Sequence, residues 1–311
     1  TKLKNKFMSV KNKKITVNSP ATIANLGPGF DSIGASVDIW NNFEFIFDTD
    51  TTSIQIEGEG KSVLPNDNTN LVYKSFSLLF DHLNINIPNI NLKVNNSIKL
   101  ERGLGSSSSA ISAGIIAANY YLKNKFSKLE LIKISQKLEP HLDNISPCIM
   151  GGIQLCIKYN NDILLSNLEF DNDLKIILVI PSSTTNTQES RSLLPDSISI
   201  KDFVHNMSRF GLLIKNLKSP IPEESREAFK DVFHQNHRIL KYPKLKHLLN
   251  RINDVGALGS FVCGSGPTIG AITNTEPMTI FYEIADYCDK QSIDCDFLIT
   301  KITKKGSYIK E

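Results

Sequence analysis

The chain has few residues of the kinds that mark secreted, membrane-spanning or zinc-binding proteins. Its five cysteines are odd in number and form no C-x-x-C pair, so we expect reduced structural thiols. No apolar run approaches the ~20 residues that span a bilayer, and no signal-peptide pattern precedes the first predicted strand. The sequence therefore predicts a cytoplasmic protein with no membrane partner.

The charge balance argues against another class of partner. Lys and Arg number 35 against 32 Asp and Glu, which leaves a formal net charge of +3. The basic residues are mostly lysines interspersed with acids, and we interpret the lysine-rich stretch before Ile15 as a solvated tail. We expect no nucleic-acid partner. The composition, 41% hydrophobic and 22% charged, is typical of a globular enzyme of about two domains.

What the chain does contain is a loop rich in glycine and serine at residues 103–110, GLGSSSSA, which we call the serine loop. Its glycines allow a sharp turn and close approach to a ligand, and its serines offer hydroxyl donors and helix caps. A predicted helix of small residues follows directly, so unpaired N–H groups and the positive end of a dipole would face the loop. The pattern predicts a phosphate site. The alternative is a linker, and the run is not a P-loop because no lysine follows Gly105.

The hydrophobic pattern predicts strands split by helices without strict β–α alternation, which indicates the α+β class. We place a domain boundary between residues 169 and 170, giving domains 8–169 and 170–311. The predicted strands are 15–17, 35–47, 53–57, 90–94, 152–159, 163–169, 174–180, 258–263, 268–272 and 295–300, and the predicted helices are 69–83, 110–118, 129–138, 199–217, 223–233, 243–253 and 277–290.

Three further segments carry groups suited to chemistry. Segment 20–31, PATIANLGPGFD, is predicted to be a long turn that carries an amide and a carboxylate. Segment 139–144, EPHLDN, is predicted to end a helix and contains two carboxylates, an imidazole and an amide. Segment 264–268, GSGPT, is a predicted turn whose N–H groups can approach an anion. The alternatives are a surface loop, a solvated helix end and a plain hairpin turn.

Arginine is scarce, with six among the 35 basic residues. Because lysine serves at most basic positions, those kept as arginine are enriched for planar, bidentate recognition of carboxylate or phosphate. Arg102 adjoins the serine loop, and Arg191 lies in the segment 187–195, TQESRSLLP. For each, the alternative is a structural salt bridge.

Together these segments resemble the GHMP kinase superfamily from about residue 14 to the C-terminus. Segment 20–31 is similar to its first motif, the serine loop to its nucleotide loop, and segment 264–268 to its third motif. The resemblance implies an N-terminal ribosomal-protein-S5-like domain and a C-terminal ferredoxin-like α/β sandwich, with ATP and Mg²⁺ as cofactors. Details that resemble the branch acting on L-homoserine, in threonine biosynthesis, lie at 25–31, 139–147, 151–152, 191–195 and 206–209.

The same branch implies phosphorylation of the side-chain hydroxyl of L-homoserine by a homodimer. Asp31 and Asp143 would pair with the α-ammonium group, and Arg191 with Arg238 would clamp the α-carboxylate. The alternatives are another small-alcohol kinase of the superfamily and a nucleotide-binding member without turnover. The implied substrate residues are Asn25, Asp31, His141, Asp143, Thr187, Arg191, Arg238 and Gly264.

The resemblance also implies the nucleotide, metal and catalytic residues. Asn144 stands where other branches place a catalytic aspartate, so we expect it only to orient the substrate hydroxyl, beside Arg191 and Glu139 as the other catalytic residues. Ser106, Ser107 and Glu139 are the implied magnesium ligands. The implied ATP-binding residues are Asn70, Leu100, Arg102, Gly103, Leu104, Gly105, Ser106, Ser107, Ser108 and Ser109.

Overall fold

The computed structural model of the chain describes residues 12–160 and 162–310, with only the backbone of Thr187. Most of the predicted solvated tail therefore lies outside the described residues. The strands are β1 (Lys14–Ala24), β2 (Ile33–Phe47), β3 (Ser53–Gly58), β4 (Ile90–Asn96), β5 (Ile153–Tyr159), β6 (Asp162–Leu168), β7 (Lys175–Pro181), β8 (Gly259–Val262), β9 (Ile269–Thr273), β10 (Cys295–Lys301) and β11 (Tyr308–Lys310).

The helices connect these strands and pack on their faces. None within the described ranges is long and apolar enough to cross a membrane. They are α1 (Leu71–Leu83), α2 (Ser106–Tyr121), α3 (Lys128–Ser135), α4 (Leu142–Met150), α5 (Thr187–Ser192), α6 (Ile200–Lys218), α7 (Pro222–Ala228), α8 (Gln235–Arg238), α9 (Pro243–Asp254) and α10 (Pro277–Lys290), with a 3-10 turn at Ile239–Lys241.

The first sheet has its core under the C-terminal half of β2. Phe43, Phe45 and Phe47 alternate with half-buried residues, as expected of a strand with one face covered, and Phe45 and Phe47 stack on Phe76 of α1. The sheet runs in the order β11-β1-β2-β4-β3, and β5 and β6 continue from the start of β2. Its β3–β4 pair is parallel and the others are antiparallel. This sheet places the serine loop and α2 beside the end of β1.

The second sheet has four antiparallel strands in the order β10-β7-β9-β8. With helices between β7 and β8 and between β9 and β10, this is the β-α-β-β-α-β arrangement of ferredoxin-like folds. Strand β7 is apolar after Lys175, as expected of a strand with both faces covered. Ile176 and Leu178 face residues of the first sheet, whereas Ile177 and Val179 face α9 and α10. The α+β class and the two-part fold are therefore confirmed.

Three predictions about local structure are wrong. Segment 20–31 is not all turn, because β1 continues to Ala24 and the loop begins at Asn25. Segment 139–144 does not end a helix: α3 stops at Ser135 and a new helix begins at Leu142. Pro140 explains why Glu139 is not helical, since a proline disfavours helical backbone in the residue before it. Helix α3 ends earlier still, at Ser135.

The predicted helix at 223–233 is also too long. Its helical part ends at Ala228, and the short helix α8 follows at Gln235. Strand β11 pairs with β1, so the last described residues belong to the first sheet. The boundary between residues 169 and 170 stays a prediction.

One glycine fixes the distance between β2 and α4. A Cβ atom at Gly34 would overlap the carbonyl oxygen of Asp143. We expect Gly34→Ala to lower the free energy of unfolding by about 3 kcal/mol, because backbone rather than a flexible side chain must move. Urea denaturation followed by circular dichroism measures this change.

The matched control is Gly211→Ala, since a Cβ at this mid-helix position of α6 meets no atom within 4 Å. It should raise stability by about 0.5–1 kcal/mol through the better helix propensity of alanine. Equal effects of the two substitutions would contradict the close packing of β2 on α4.

Candidate active site

A cavity of about 640 Å³ opens where the β1–β2 loop, the serine loop, the start of α4 and α5 meet. Of the implicated residues whose side chains the structure describes, all line this cavity except Ser108 and Ser109. The side chain of Thr187 lies outside the described part of the structure, so its predicted role stays a prediction. The fold thus gathers residues from positions 25 to 264 around one space.

The serine loop needs both of its glycines. Gly103 and Gly105 have φ angles of +76° and +67°, in the left-handed region that favours glycine. A Cβ at Gly103 would overlap the carbonyl oxygen of Cys263, and one at Gly105 would overlap Oγ1 of Thr22. The loop is therefore pressed against both β1 and the segment after β8, which makes it a fixed structural loop rather than a linker.

The N-terminus of α2 opens into this loop. Gly105 is its N-cap and provides no side-chain hydrogen bond, which leaves the first N–H groups of the helix without a side-chain cap among the described residues. The side chains of Ser108 and Ser109 are buried, and Ser109 Oγ donates to the Ser19 carbonyl at 3.3 Å. Ser108 can therefore offer only its backbone N–H group to a ligand. The N–H of Ser109 already donates to the Gly105 carbonyl at 3.0 Å, whereas Ser106 and Ser107 line the cavity.

Glu139 joins the serine loop to the start of α4. Its Oε2 accepts a hydrogen bond from Ser107 Oγ at 3.4 Å, and its Oε1 lies 2.7 Å from His141 Nδ1. The bond to Glu139 raises the pKa of His141. Within the described ranges no group of three His, Cys, Asp or Glu side chains could hold a metal ion. A single carboxylate beside a hydroxyl does fit Mg²⁺ that takes its other ligands from phosphate and water.

Two arginines line the opposite side of the cavity and lie beside an aromatic ring. Arg191 Nη2 lies 2.8 and 2.7 Å from the two carboxylate oxygens of Asp31. The guanidinium carbons of Arg191 and Arg238 lie 5.3 and 5.1 Å from the centre of the Phe30 ring, within range of a cation–π interaction. Phe30 was missed in the sequence because nothing local distinguishes it from a core residue. Arg238 is buried, and burial lowers its pKa to about 10.

Asp143 is a buried carboxylate that lacks a full set of partners. It is 3% exposed, and its Oδ1 has no hydrogen-bond partner among the described residues. Burial, reinforced by the nearby charge of Asp31, raises its pKa to about 7. A cationic group entering the cavity would stabilise the charged form of Asp143.

The β1–β2 loop is held to the segment after β8. Asn25 Nδ2 donates to the Gly264 carbonyl at 3.0 Å, and Asn25 Oδ1 accepts from the backbone N–H of Asp31 at 3.0 Å. Asn25, Leu26 and Gly27 are left-handed in succession, with φ of 74°, 43° and 83°. Such strain persists only where the surroundings hold it in place, and it clusters at functional sites.

Asn144 is oriented by a hydroxyl that the sequence did not single out. Thr22 Oγ1 donates to Asn144 Oδ1 at 2.8 Å, which leaves the Nδ2 group of Asn144 as a donor at the cavity wall. Thr22 lies in β1 and is fully buried. Its position within segment 20–31, which resembles the first family motif, is the sequence signal that could have pointed to Thr22.

Two of the predicted nucleotide residues, Asn70 and Arg102, already form hydrogen bonds within the protein. Asn70 caps α1 through Val72 N at 2.9 Å and donates to the Pro65 carbonyl at 2.7 Å. Arg102 uses three of its nitrogens on backbone carbonyls, including that of Pro181 at 2.7 Å, so it buttresses the loop. The sequence reasoning missed the apolar wall beside Asn70, which comprises Phe43, Leu64, Pro65, Leu71, Val72 and Val94.

Comparison with known proteins agrees with this architecture. The family models described as GHMP kinases N terminal domain and GHMP kinases C terminal match residues 70–152 and 205–284. A homoserine kinase of Clostridium botulinum (strain Eklund 17B / Type B) is 34% identical over 95% of this chain and 98% of its own length. One of Desulfitobacterium hafniense is 36% identical over 84% of this chain and 88% of its own length.

Among solved structures, that of a homoserine kinase from Cytophaga hutchinsonii has a TM-score of 0.85 and 26% identity, covering 98% of this chain and 99% of that one. The fold and the cavity thus define an ATP-using kinase of the GHMP superfamily. Within that superfamily, the chain belongs to the homoserine kinase family.

The buried Asp143 has a consequence for stability. Because its pKa of about 7 in the folded protein lies above the ordinary value of 3.8, its burial costs stability progressively as pH rises through that interval. We expect Asp143→Asn to remove this cost and to raise the free energy of unfolding at pH 8 by up to about 4 kcal/mol. The two proteins should converge below about pH 4.

Chemical denaturation at pH values between about 4 and 8 measures this difference. Asp173→Asn is the matched control, because that carboxylate is exposed and its loss should leave the curve unchanged. A stability difference between Asp143→Asn and the parent protein that does not vary with pH would contradict the assignment.

Proposed function

We propose that this chain transfers the γ-phosphoryl group of ATP to the side-chain hydroxyl of L-homoserine, giving O-phospho-L-homoserine and ADP for threonine biosynthesis. The observation that carries the proposal is the charge arrangement in the cavity. Two arginines and two aspartates lie together at one side, beside the serine loop. The homoserine kinases that are 34% and 33% identical to this chain support the same substrate.

The charges suit a zwitterionic amino acid. Asp143, buried and incompletely paired, can receive an α-ammonium group, and Asp31 lies close enough to influence its pKa. Arg191 and Arg238 can hold the α-carboxylate, since guanidinium groups bind carboxylates with two parallel hydrogen bonds. A substrate carrying both charges enters without leaving a net charge in the cavity.

ATP is proposed to lie with its phosphates along the serine loop. The first N–H groups of α2 and the positive end of its dipole would bind the anion there. The base would contact the apolar wall beside Asn70 and Leu100. Glu139 with Ser106 or Ser107 would hold Mg²⁺, which when bound neutralises charge on the β- and γ-phosphates.

Asn144 is proposed to orient the attacking hydroxyl. Its Nδ2 group is a donor and cannot remove a proton, so the alcohol oxygen attacks the γ-phosphorus as the bond to ADP breaks, and its proton passes to a phosphate oxygen or to water. Phosphoryl transfer tolerates this because in-line positioning and charge stabilisation supply most of the rate. Arg191, beside His141 and Asp31, would stabilise the developing charge.

We also propose that the protein works as a cytoplasmic homodimer. The support is the family resemblance and the chemical state of the cysteines. All five are free thiols, and Cys148, Cys156, Cys263 and Cys288 are buried.

Substrate choice is tested by ADP release with homoserine, threonine, shikimate and mevalonate. We expect kcat/KM for homoserine to exceed that for shikimate and mevalonate by about 100-fold or more, because those acids lack an ammonium group for Asp143. Faster turnover of another alcohol would identify a different small-alcohol kinase. ATP binding without ADP formation from any acceptor would indicate a non-catalytic member.

The roles of Asn144 and Glu139 are separated by substitution. We expect Asn144→Ala to lower kcat by about 10- to 100-fold, the usual cost of one positioned donor. Glu139→Ala should lower it by about 1,000-fold and raise the Mg²⁺ concentration required, since a metal ligand supplies several kcal/mol. Steady-state kinetics across a magnesium titration provides both numbers.

Thr22→Val is the matched variant, because it removes the hydroxyl that orients Asn144 but keeps the volume of the side chain. It should lower kcat by no more than Asn144→Ala does. A loss of activity in Asn144→Ala as complete as in Glu139→Ala would make a merely orienting role untenable.

A further inference from the structure

His234 is a buried residue that has no role in the proposed reaction. It is 0% exposed and directly precedes α8. Arg238 follows four residues later, one helical turn along, so the two side chains lie on the same face. The imidazole also contacts Phe30, with ring centres 5.3 Å apart. It therefore lies behind the proposed carboxylate site.

The two nitrogens of His234 have contacts that define its tautomer. Nε2 lies 2.7 Å from the Gly27 carbonyl oxygen, which can only accept a hydrogen bond, so Nε2 carries the proton. Nδ1 lies 3.3 Å from Nη1 of Arg238, which can only donate. Nδ1 is therefore the acceptor, and only the neutral Nε2–H form satisfies both contacts.

The charged groups around the ring favour that neutral form on balance. Asp231 Oδ2 lies 3.8 Å from Nε2 and would favour a cation, as would the more distant Asp31. Burial and the positive charge of Arg238 oppose it and lower the pKa of His234 to about 4. Asp231 is already saturated by four donors: Asn206 Nδ2, Phe233 N, His234 N and Gln235 N.

Arg238 is held by one nitrogen, Nη1, and its other guanidinium nitrogens have no hydrogen-bond partner among the described residues. Nη1 has two hydrogens, which serve the Gly264 carbonyl at 2.7 Å and His234 Nδ1 at 3.3 Å. Nε is buried and has no hydrogen-bond partner among the described residues, although the arginine lines the cavity. Nε–H and one Nη2–H point in parallel from the same edge, which matches the two oxygens of a carboxylate.

We propose that His234 is a positioning residue for recognition of the substrate carboxylate. Its Nδ1 lone pair, together with the Gly264 carbonyl, holds Nη1 of Arg238 and so presents the Nε/Nη2 edge to the cavity. The inference rests on the proposed function, because it requires an amino-acid substrate. No proton or bond is exchanged: His234 acts on binding through Arg238 and does not touch the substrate.

Two variants separate the two hydrogen bonds of His234. His234→Gln places an amide nitrogen near Nε2, which keeps a donor for Gly27 but removes the acceptor for Arg238. His234→Asn places an amide oxygen near Nδ1, which keeps the acceptor but loses the reach to Gly27. The matched control is His237→Gln in the same helix, whose ring bonds only the Phe233 carbonyl, at 2.7 Å, among the described residues.

The readout compares L-homoserine with 3-aminopropan-1-ol, which has the same hydroxyl and ammonium groups but no carboxylate. We expect His234→Gln to raise KM for homoserine about 10- to 100-fold, the value of a charge-assisted pair, with kcat and KM for ATP nearly unchanged. The preference for homoserine over 3-aminopropan-1-ol in kcat/KM should fall by the same factor. His234→Asn should restore much of it, and His237→Gln should not change it.

A parallel rise of KM for ATP, or an unchanged preference for homoserine in His234→Gln, would show a merely structural role and overturn the proposal. A spectroscopic test needs no variant: long-range ¹⁵N–¹H spectra of the intact protein should show His234 as the Nε2–H tautomer between about pH 5 and pH 8. A cationic or Nδ1–H ring would overturn it equally. Failure of the unmodified protein to phosphorylate homoserine would instead refute the proposed function, and the two failures are thus distinct.

Discussion

The carbonyl oxygen of Gly264 joins the three segments from which the substrate side of the cavity is built. It accepts hydrogen bonds from Asn25 Nδ2 at 3.0 Å and from Arg238 Nη1 at 2.7 Å, while the Gly264 N–H donates to Ala24 O at 3.2 Å. Both of its lone pairs are therefore in use. The position of Asp31, reached through Asn25, and the orientation of Arg238 follow from this single acceptor. The third sequence motif thus acts here as an acceptor between loops.

The cavity combines buried groups that are each unfavourable alone. Among the described residues, Asp143 has no partner on one oxygen and Arg238 has none on Nε, and the β1–β2 loop holds three left-handed residues in succession. Groups of this kind cost free energy when a protein folds, and an amino-acid zwitterion with a nucleotide phosphate supplies the missing charges. The apolar cores beneath both sheets stabilise the fold that carries them. The same atoms therefore lower the stability of the free protein and raise its affinity for the proposed substrates.

Local patterns in the sequence were sufficient to predict the serine loop and most strands and helices. The loop was predictable because glycine, serine and a following apolar run each have a local conformational reason to be there. Pairings across long separations were not: Arg191 bonds Asp31, 160 positions away, and Asn25 bonds Gly264, 239 positions away. Thr22 and His234 were not predicted, because their roles depend on the atoms that they contact in the folded protein, Asn144 Oδ1 and Arg238 Nη1. Proline at position 140 should have indicated the break between α3 and α4.

The pairing of β11 with β1 has a consequence for how the chain is made. Thr16 lies opposite Lys310, and Ser307 just before β11 bonds Ser19 of β1 at 2.7 Å through their hydroxyls. On a ribosome, the outer edge of β1 therefore stays unpaired until residues 307–310 have emerged. An open strand edge is a template for pairing with other chains, and in a chain of several domains the N-terminal domain normally folds first as synthesis proceeds. This N-terminal sheet instead depends on residues 307–310 to cover that edge, so a translation product that stops before them would leave it exposed.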